Sequence, residues 1–215
     1  SVLRWYFPRL MNMTYRNHFN SNMLVCSVNE EIINVESEVI FNIFQKLYNS
    51  ALLGYSVTDK IVVNPIKLSR KACEDTNKPL GFIAYLEASE EDLEMCPPNN
   101  CPSPLEYLGK SPLTEASNEI KIFSYCRQPG MIVEYDSDNS WLPSSKILED
   151  KRMLISIFVP VSKEKLSSRF YPNFPTIESY LRSIENADHA NWLDEDGVTL
   201  IKRLKGVIRN SILTD

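Results

Sequence analysis

Acidic residues in the second half of the sequence are the first place where residue types and spacing could do chemistry. Glu134, Asp136 and Asp138 occupy every second position of "EYDSD", which places them on one face of a strand. Acids at a strand end, with a lysine such as Lys121 nearby, suit a metal-dependent nuclease. That function requires the carboxylates to converge to roughly 4–5 Å around a shared ion. A solvated strand end, the alternative interpretation, requires Glu134 and Asp136 to be exposed and separate.

A second place is "ENADHANW", where Asp188 and His189 form an acid–histidine pair with Trp192 nearby. A histidine beside an aspartate at a helix end acts as a base in some sites and as a capping and packing device in others. In the second interpretation Trp192 anchors the turn, and we expect this structural role here.

Cysteine usage points to reduced thiols and not to a metal. The chain has five cysteines, an odd number that does not form a dense disulfide framework. Cys96 and Cys101 in "CPPNNC" have a chelating spacing, but a structural zinc needs two more ligands and the only histidines, His18 and His189, are far away. We therefore predict no metal site, a surface loop able to close a small disulfide on oxidation, and a cytoplasmic location.

Sequence signatures of catalysis and of cofactor binding are missing. The six glycines are scattered, so neither a dinucleotide fingerprint nor a phosphate-binding loop is present, and no serine lies in a GxSxG elbow. No apolar run approaches the roughly 18 residues that a membrane span needs. We predict no catalytic residue, no cofactor and no membrane association, and the chain alone is not expected to be an enzyme.

Charge is unevenly distributed along a chain whose formal net charge is −5. Acids concentrate between Glu87 and Glu119, whereas "IKRLKGVIR" near the end is basic. Such a helix face is either solvated or contacts phosphates, and contact requires continuity with other basic side chains. The candidate nucleic-acid contacts are Lys202, Arg203, Lys205 and Arg209.

Apolar periodicity predicts an α+β fold. Three-and-four spacing indicates an amphipathic helix from Glu36 to about Asn49 with Gly54 as its stop, and Thr176 is the expected N-cap of the first of two C-terminal helices. Strands cluster between these helices, which favours a mixed, mostly antiparallel sheet. Pro65 confines its strand to an edge or marks a break in it. The predicted strand segments are "MLVCSV", "KIVVNPIKL", "LGFIAYLEA", the hairpin "EIKIFSYCR" with "GMIVEYD", and "RMLISIFVPV".

Domain organisation is predicted as a sheet domain over residues 1–168 and a C-terminal helical segment over 169–215 packed on it. Residues 1–22 form an aromatic-rich entry segment. Residues 89–117 are acidic and rich in proline, which indicates a long surface insertion. The sequence does not begin with methionine, and we expect a piece of a longer protein or a trimmed form of one.

Two short patterns in the last hundred residues resemble a known family. "CRQPGMIVEY", and then "YLRSIENADHANW" followed by the basic helix, look like the region after the ATPase module in bacterial members of the GHKL superfamily, which includes gyrase, histidine-kinase and MutL-type ATPases. The members that carry these patterns are large proteins whose genes lie near restriction-modification and other anti-phage genes. The matching positions are Arg127, Pro129, Gly130, Met131, Leu181, Arg182, Glu185, His189 and Trp192.

This resemblance implies a transducer-like domain that relays the nucleotide state of an ATPase module in the same parent chain to a partner or to DNA. The module's own Asn-bearing helix and glycine-rich lid have no counterpart here. A transducer sends a lysine into the ATP site, and Lys60, Lys67 and Lys121 are the candidates. The residues from Arg127 to Met131 would then form a structural hairpin facing a neighbouring domain, and Glu134 and Asp136 would be exposed and separate. One alternative is a stand-alone protein-interaction module that uses the acidic insertion and the aromatic N-terminal segment, and the nuclease is a second.

Overall fold

Helices cover both faces of a five-stranded sheet. The computed structural model describes residues 27–28, 30–32, 38–96, 98, 101, 120–127, 130–136, 152–186, 191–192 and 200–213. The elements within these ranges are β1 (Ser27–Val28), β2 (Glu31–Ile32), α1 (Val39–Leu53), β3 (Val62–Ile66), β4 (Gly81–Ser89), β5 (Ile120–Arg127), β6 (Met131–Asp136), β7 (Arg152–Pro160), α2 (Ile177–Ser183) and α3 (Leu200–Leu213).

The large sheet has the strand order β3-β4-β7-β5-β6, and β1 pairs with β2 separately. All neighbours are antiparallel except β5 and β7, which are parallel. The central strand β7 is buried along nearly its whole length, which explains the continuous apolar run of "MLISIFVP". Pro65 lies in the edge strand β3, one of the two predicted outcomes, because a proline cannot donate to a second neighbour.

Each face of the sheet has its own apolar core. On one face α1 packs Phe44 and Leu47 against residues of β4 and β7 such as Ala84 and Ile157. On the other face α2 and α3 pack against alternate residues of the same strands, including Tyr85. Helix α1 ends at Gly54, whose φ of 76° is left-handed and whose N–H donates to the Ser50 carbonyl at 2.9 Å. The predicted helix and its stop are therefore confirmed.

Both C-terminal helices are fixed by specific polar contacts. The Thr176 side chain accepts from the Ser179 N–H and the Ser179 side chain accepts from the Thr176 N–H, a capping box at the predicted start of α2. At the start of α3 the Tyr180 hydroxyl accepts from the Ile201 N–H at 3.2 Å. At its end the Asn64 amide donates to the Ser211 carbonyl at 2.7 Å, so α3 is tied down at both ends.

A β-bulge decides where the acidic side chains of β6 point. Cys126 pairs with Ile132, but the preceding residue of β5, Tyr125, pairs with Glu134, which leaves Val133 as the extra residue. Strict alternation from Ile132 would turn Glu134 towards α1. Because of the bulge, Glu134 and Asp136 instead face α3.

The predicted α+β class, with a mixed, mostly antiparallel sheet, one long helix in the N-terminal half and two C-terminal helices, is confirmed. Residues 1–22 and most of 89–117 lie outside the described residues. The division at residue 168 stays a prediction, and residues from both sides of it share one core. No helix in the described ranges has the length and apolarity needed to cross a membrane.

Candidate functional site

The two sequence patterns meet at a junction between the β5–β6 hairpin and the end of α2. Arg127 Nε lies 2.7 Å from one oxygen of Glu185 and 3.0 Å from the other. Only 14% of the Arg127 side chain and 5% of the Glu185 side chain are exposed. This contact joins residues that are 58 positions apart in the chain.

The hairpin corner explains the other residues of the first pattern. Gly130 has a φ of 103°, which disfavours any residue with a Cβ, and its N–H donates to the Arg127 carbonyl at 2.6 Å. Arg127 Nη2 also points at the Met131 sulfur, 3.7 Å away. The corner therefore aims Arg127 at α2, with Met131 packed beside the guanidinium. Pro129 lies outside the described residues.

Trp192 connects the segment after α2 to the hairpin. Its backbone N–H donates to Glu134 Oε2 at 3.1 Å, and its ring centroid lies 5.9 Å from that of Tyr125. Trp192 also forms a β-bridge with Glu185, and the Asn186 N–H donates to the Asn191 carbonyl at 3.2 Å. These contacts hold Trp192 in the core, where its side chain is buried. His189 and Asp188 lie outside the described residues.

Two ion pairs join β6 to α3. Lys205 Nζ lies 2.5 Å from Glu134 Oε1, and Arg209 pairs with Asp136 through Nη2 and Oδ2. Residues two apart on a strand are separated by about 6.8 Å, and residues four apart on a helix by about 6 Å. The two spacings match, so one pair follows the other along the same direction of strand and helix. We call Glu134, Asp136, Lys205 and Arg209 the ion-pair ladder.

Tyr125 lies beside the ladder and gives it an apolar wall. Lys205 Nζ is 5.1 Å from the centroid of the Tyr125 ring, within range of a cation–π contact. Burial raises the pKa of Tyr125 far above its ordinary value, while the nearby Arg209 guanidinium opposes that rise. Burial also lowers the pKa of Arg209, although a guanidinium remains charged at neutral pH.

The ladder changes what the acidic residues can do. Glu134 and Asp136 share a strand face, but each carboxylate is already balanced by a cation of α3. The expectation that they are exposed is wrong, since their side chains are 16% and 11% exposed. Across the described ranges no group of three or more His, Cys, Asp or Glu residues could hold a metal ion. The side chain of Lys121 lies outside the described residues.

The candidate nucleic-acid contacts separate into two sets. Lys205 and Arg209 point towards the sheet as members of the ladder. Lys202 is exposed, and Arg203 donates to Ser69 Oγ at 2.8 Å on the opposite side of α3. A nucleic acid therefore meets Lys202 and Arg203 more readily than the two ladder cations.

The remaining sequence candidates lie elsewhere. Lys60 lines a cleft of about 880 Å³ between α1, β4 and the start of β7, together with the charged residues Glu87 and Arg152. Lys67 follows β3 and is exposed outside that cleft, so these two lysines do not converge. Cys96 is an exposed free thiol and Cys101 a buried one.

Sequence reasoning did not predict the ladder or the role of Tyr125. The sequence did contain a signal for the ladder, because acids two residues apart in a strand and bases four residues apart in a helix are separated by similar distances. It was not sufficient, since every acidic strand and basic helix of this spacing would match equally well. The pairing depends on which face of β6 the acids occupy, and the bulge at Val133 decides that.

The comparisons with known proteins find no family model, no curated protein and no solved structure that matches this chain. The resemblance to the GHKL superfamily therefore depends on the two short patterns. Among their described members, Arg127 contacts Met131 and Glu185, and Glu185 forms a β-bridge with Trp192.

Proposed function

We propose that this chain is a non-catalytic relay or interaction domain of a larger bacterial GHKL-type ATPase that acts in the cytoplasm, in defence or DNA transactions. The observation that carries the proposal is the contact between the two patterns. Arg127 and Met131 belong to the first, Glu185 and Trp192 to the second, and all four lie at one junction. Two patterns that occurred by chance would have no reason to meet, whereas parts of one structural unit would.

The connectivity of the junction suits a relay. The Arg127–Glu185 pair fixes the hairpin corner to α2, and the ion-pair ladder fixes the adjoining strand to α3. A displacement of the corner by a neighbouring domain would therefore move both C-terminal helices with it. Coupling of this kind requires an element shared by two sites, which the hairpin supplies.

The ladder also weighs against the nuclease alternative. A metal-dependent nuclease needs carboxylates that are available to an ion. Here Glu134 is bonded to Lys205 and Asp136 to Arg209, so binding of a metal would have to break two partly buried ion pairs.

A stand-alone interaction module remains a second candidate because of a separate surface. Leu52, Leu53, Tyr55 and Val57 are 46%, 51%, 61% and 39% exposed at the end of α1. Exposed apolar side chains clustered in this way are typical of contact surfaces. This candidate predicts no ATPase module in the parent gene.

The first test is the reading frame upstream of the codon for Ser1. We expect an ATPase module with an Asn-bearing helix and a glycine-rich lid. That module would then be expressed alone and joined to this chain, and ATP hydrolysis would be measured for both. Joining should change the rate at least about fivefold, the low end of allosteric coupling.

A charge-free junction shows whether the coupling passes through it. The double variant Arg127→Gln, Glu185→Gln keeps hydrogen-bonding groups but removes both charges, and it should return the rate to that of the module alone. Its control is Lys46→Gln, Glu91→Gln, which removes one charge of each sign from exposed positions outside the junction. The relay would be refuted by a reading frame without an ATPase module. It would also be refuted if the double variant at Arg127 and Glu185 left the rate of ATP hydrolysis by the joined protein unchanged.

A further inference from the structure

Cations from three separate segments lie on one surface, beside the outer side of α3. Arg203 donates to Ser69 Oγ at 2.8 Å, which brings the loop after β3 against the helix. The Ser167 N–H donates to the Ala72 carbonyl at 2.9 Å, which brings residues 164–171 against the same loop. We define the basic surface by its cationic residues, which are Arg70, Lys71, Arg169 and Arg203.

The basic surface is a local excess of positive charge on an acidic protein. Residues 67–75, 164–171 and 200–204 together contain seven Lys and Arg but three Asp and Glu, whereas the whole chain has a formal net charge of −5. Arg70 and Lys71 are exposed, and among the described residues neither forms an ion pair. Their charges are therefore directed at solvent and available to an anion.

An exposed aromatic ring lies within this surface. Phe170 is 48% exposed, and Arg169 Cζ is 5.4 Å from its ring centroid. The ring is held in place by the turn that follows Ser167, since the Phe170 N–H donates to the Ser167 carbonyl at 3.0 Å. An aromatic ring among cations is the arrangement on which unpaired bases stack while the cations contact phosphates.

We propose that the basic surface binds single-stranded nucleic acid, with Phe170 and Arg169 stacking on bases and Arg70, Lys71 and Arg203 contacting phosphates. The inference rests on the proposed function for its biological meaning, because it names the partner that the relay would reach. A duplex offers no exposed base face, so stacking on Phe170 favours a single strand. The nucleic-acid contact is therefore placed on the basic surface and not on the ladder cations Lys205 and Arg209.

The test is fluorescence anisotropy of a labelled oligothymidylate of about 20 nucleotides, long enough for a site of this size, titrated with the whole 215-residue chain. Affinity should fall as salt rises from about 50 to 200 mM, with a slope of about −0.7 per phosphate contact for a single strand. The variant Arg70→Gln, Lys71→Gln, Arg203→Gln should make that slope shallower by about 2. Phe170→Ala should weaken binding about tenfold.

A matched control separates the basic surface from bulk charge. Lys46→Gln, Lys60→Gln, Lys163→Gln removes the same charge from exposed positions that line two other clefts, and it should leave affinity and slope unchanged. All variants are checked by thermal unfolding, since surface substitutions should not alter the fold.

Three results would overturn the inference. The first is no binding of the oligothymidylate at the lowest salt. The second is an equal loss of affinity in the two triple variants. The third is a Phe170→Ala protein that binds as tightly as the parent, together with duplex DNA that competes as well as the single strand. The relay is tested separately, because no ATPase module is present in this assay. Either proposal can fail without the other.

Discussion

Removal of Arg209 from the ion-pair ladder should cost far more stability than removal of an exposed arginine. Arg209 is 6% exposed and its partner Asp136 11% exposed, so Arg209→Met leaves a carboxylate with little water and no cation. Breaking such a pair costs about 3–5 kcal/mol in the free energy of unfolding. For a chain of 215 residues this corresponds to a fall in the melting temperature of about 10 °C.

The matched control is Arg182→Met. Arg182 pairs with Glu178 at 2.8 Å one turn away on α2, but its side chain is 55% exposed. An exposed pair of this kind contributes about 0.3–0.5 kcal/mol. The two variants share the same chemical change, so the difference between them reports the burial of the pair.

A double variant tests the physical reason. If the cost of Arg209→Met comes from the stranded carboxylate, then adding Asp136→Leu should bring stability back to within about 1 kcal/mol of the parent, because neither charge remains. Urea unfolding at pH 7 measures all four proteins, and their m-values should agree. Equal small losses in Arg209→Met and Arg182→Met, or a double variant as unstable as the single one, would refute the reasoning.

Further predictions concern four individual residues. Gly54→Ala should lower the free energy of unfolding by about 1–2 kcal/mol because a left-handed φ disfavours a Cβ, and the new Cβ would also lie 2.8 Å from the Phe82 ring. Gly206→Ala should raise it by about 0.5–1 kcal/mol, because a Cβ there has no other atom within 4 Å. Thr176→Ala removes one half of the capping box and should cost about 1 kcal/mol in urea unfolding, and no loss would mean that α2 does not need its cap. The raised pKa of Tyr125 means that only the unfolded chain ionises this phenol just above pH 10. Stability should therefore be lost as pH rises above about 10, with a slope of up to about 1.4 kcal/mol per pH unit that Tyr125→Phe removes; an unchanged slope in that variant would contradict the burial argument.

Features that depend on neighbouring residues could be predicted from the sequence. The apolar spacing of α1 and α3, the stop at Gly54 and the cap at Thr176 all arise within a few positions of the chain. Pro65 limited its strand to an edge or a break for a similar reason, since the missing N–H is a property of that residue alone. The β5–β6 hairpin was predicted from a turn between two apolar runs.

Features that depend on distant partners could not. Strand β7 lies between β4 and β5, but its apolar run indicates only that both of its faces are buried, and it does not name the strands beside it. The partner of Arg127 could not be predicted either, because many carboxylates in the chain could have taken the place of Glu185.

Composition and local pattern thus decided which segments of this chain become helices and strands, and they indicated which acids and bases were worth attention. Only the packed structure decided what those charges do. The extra residue at Val133 turns Glu134 and Asp136 from one face of the sheet to the other, where Lys205 and Arg209 bind them. Side chains alternate along a strand, so a single bulged residue moves every later side chain to the opposite face.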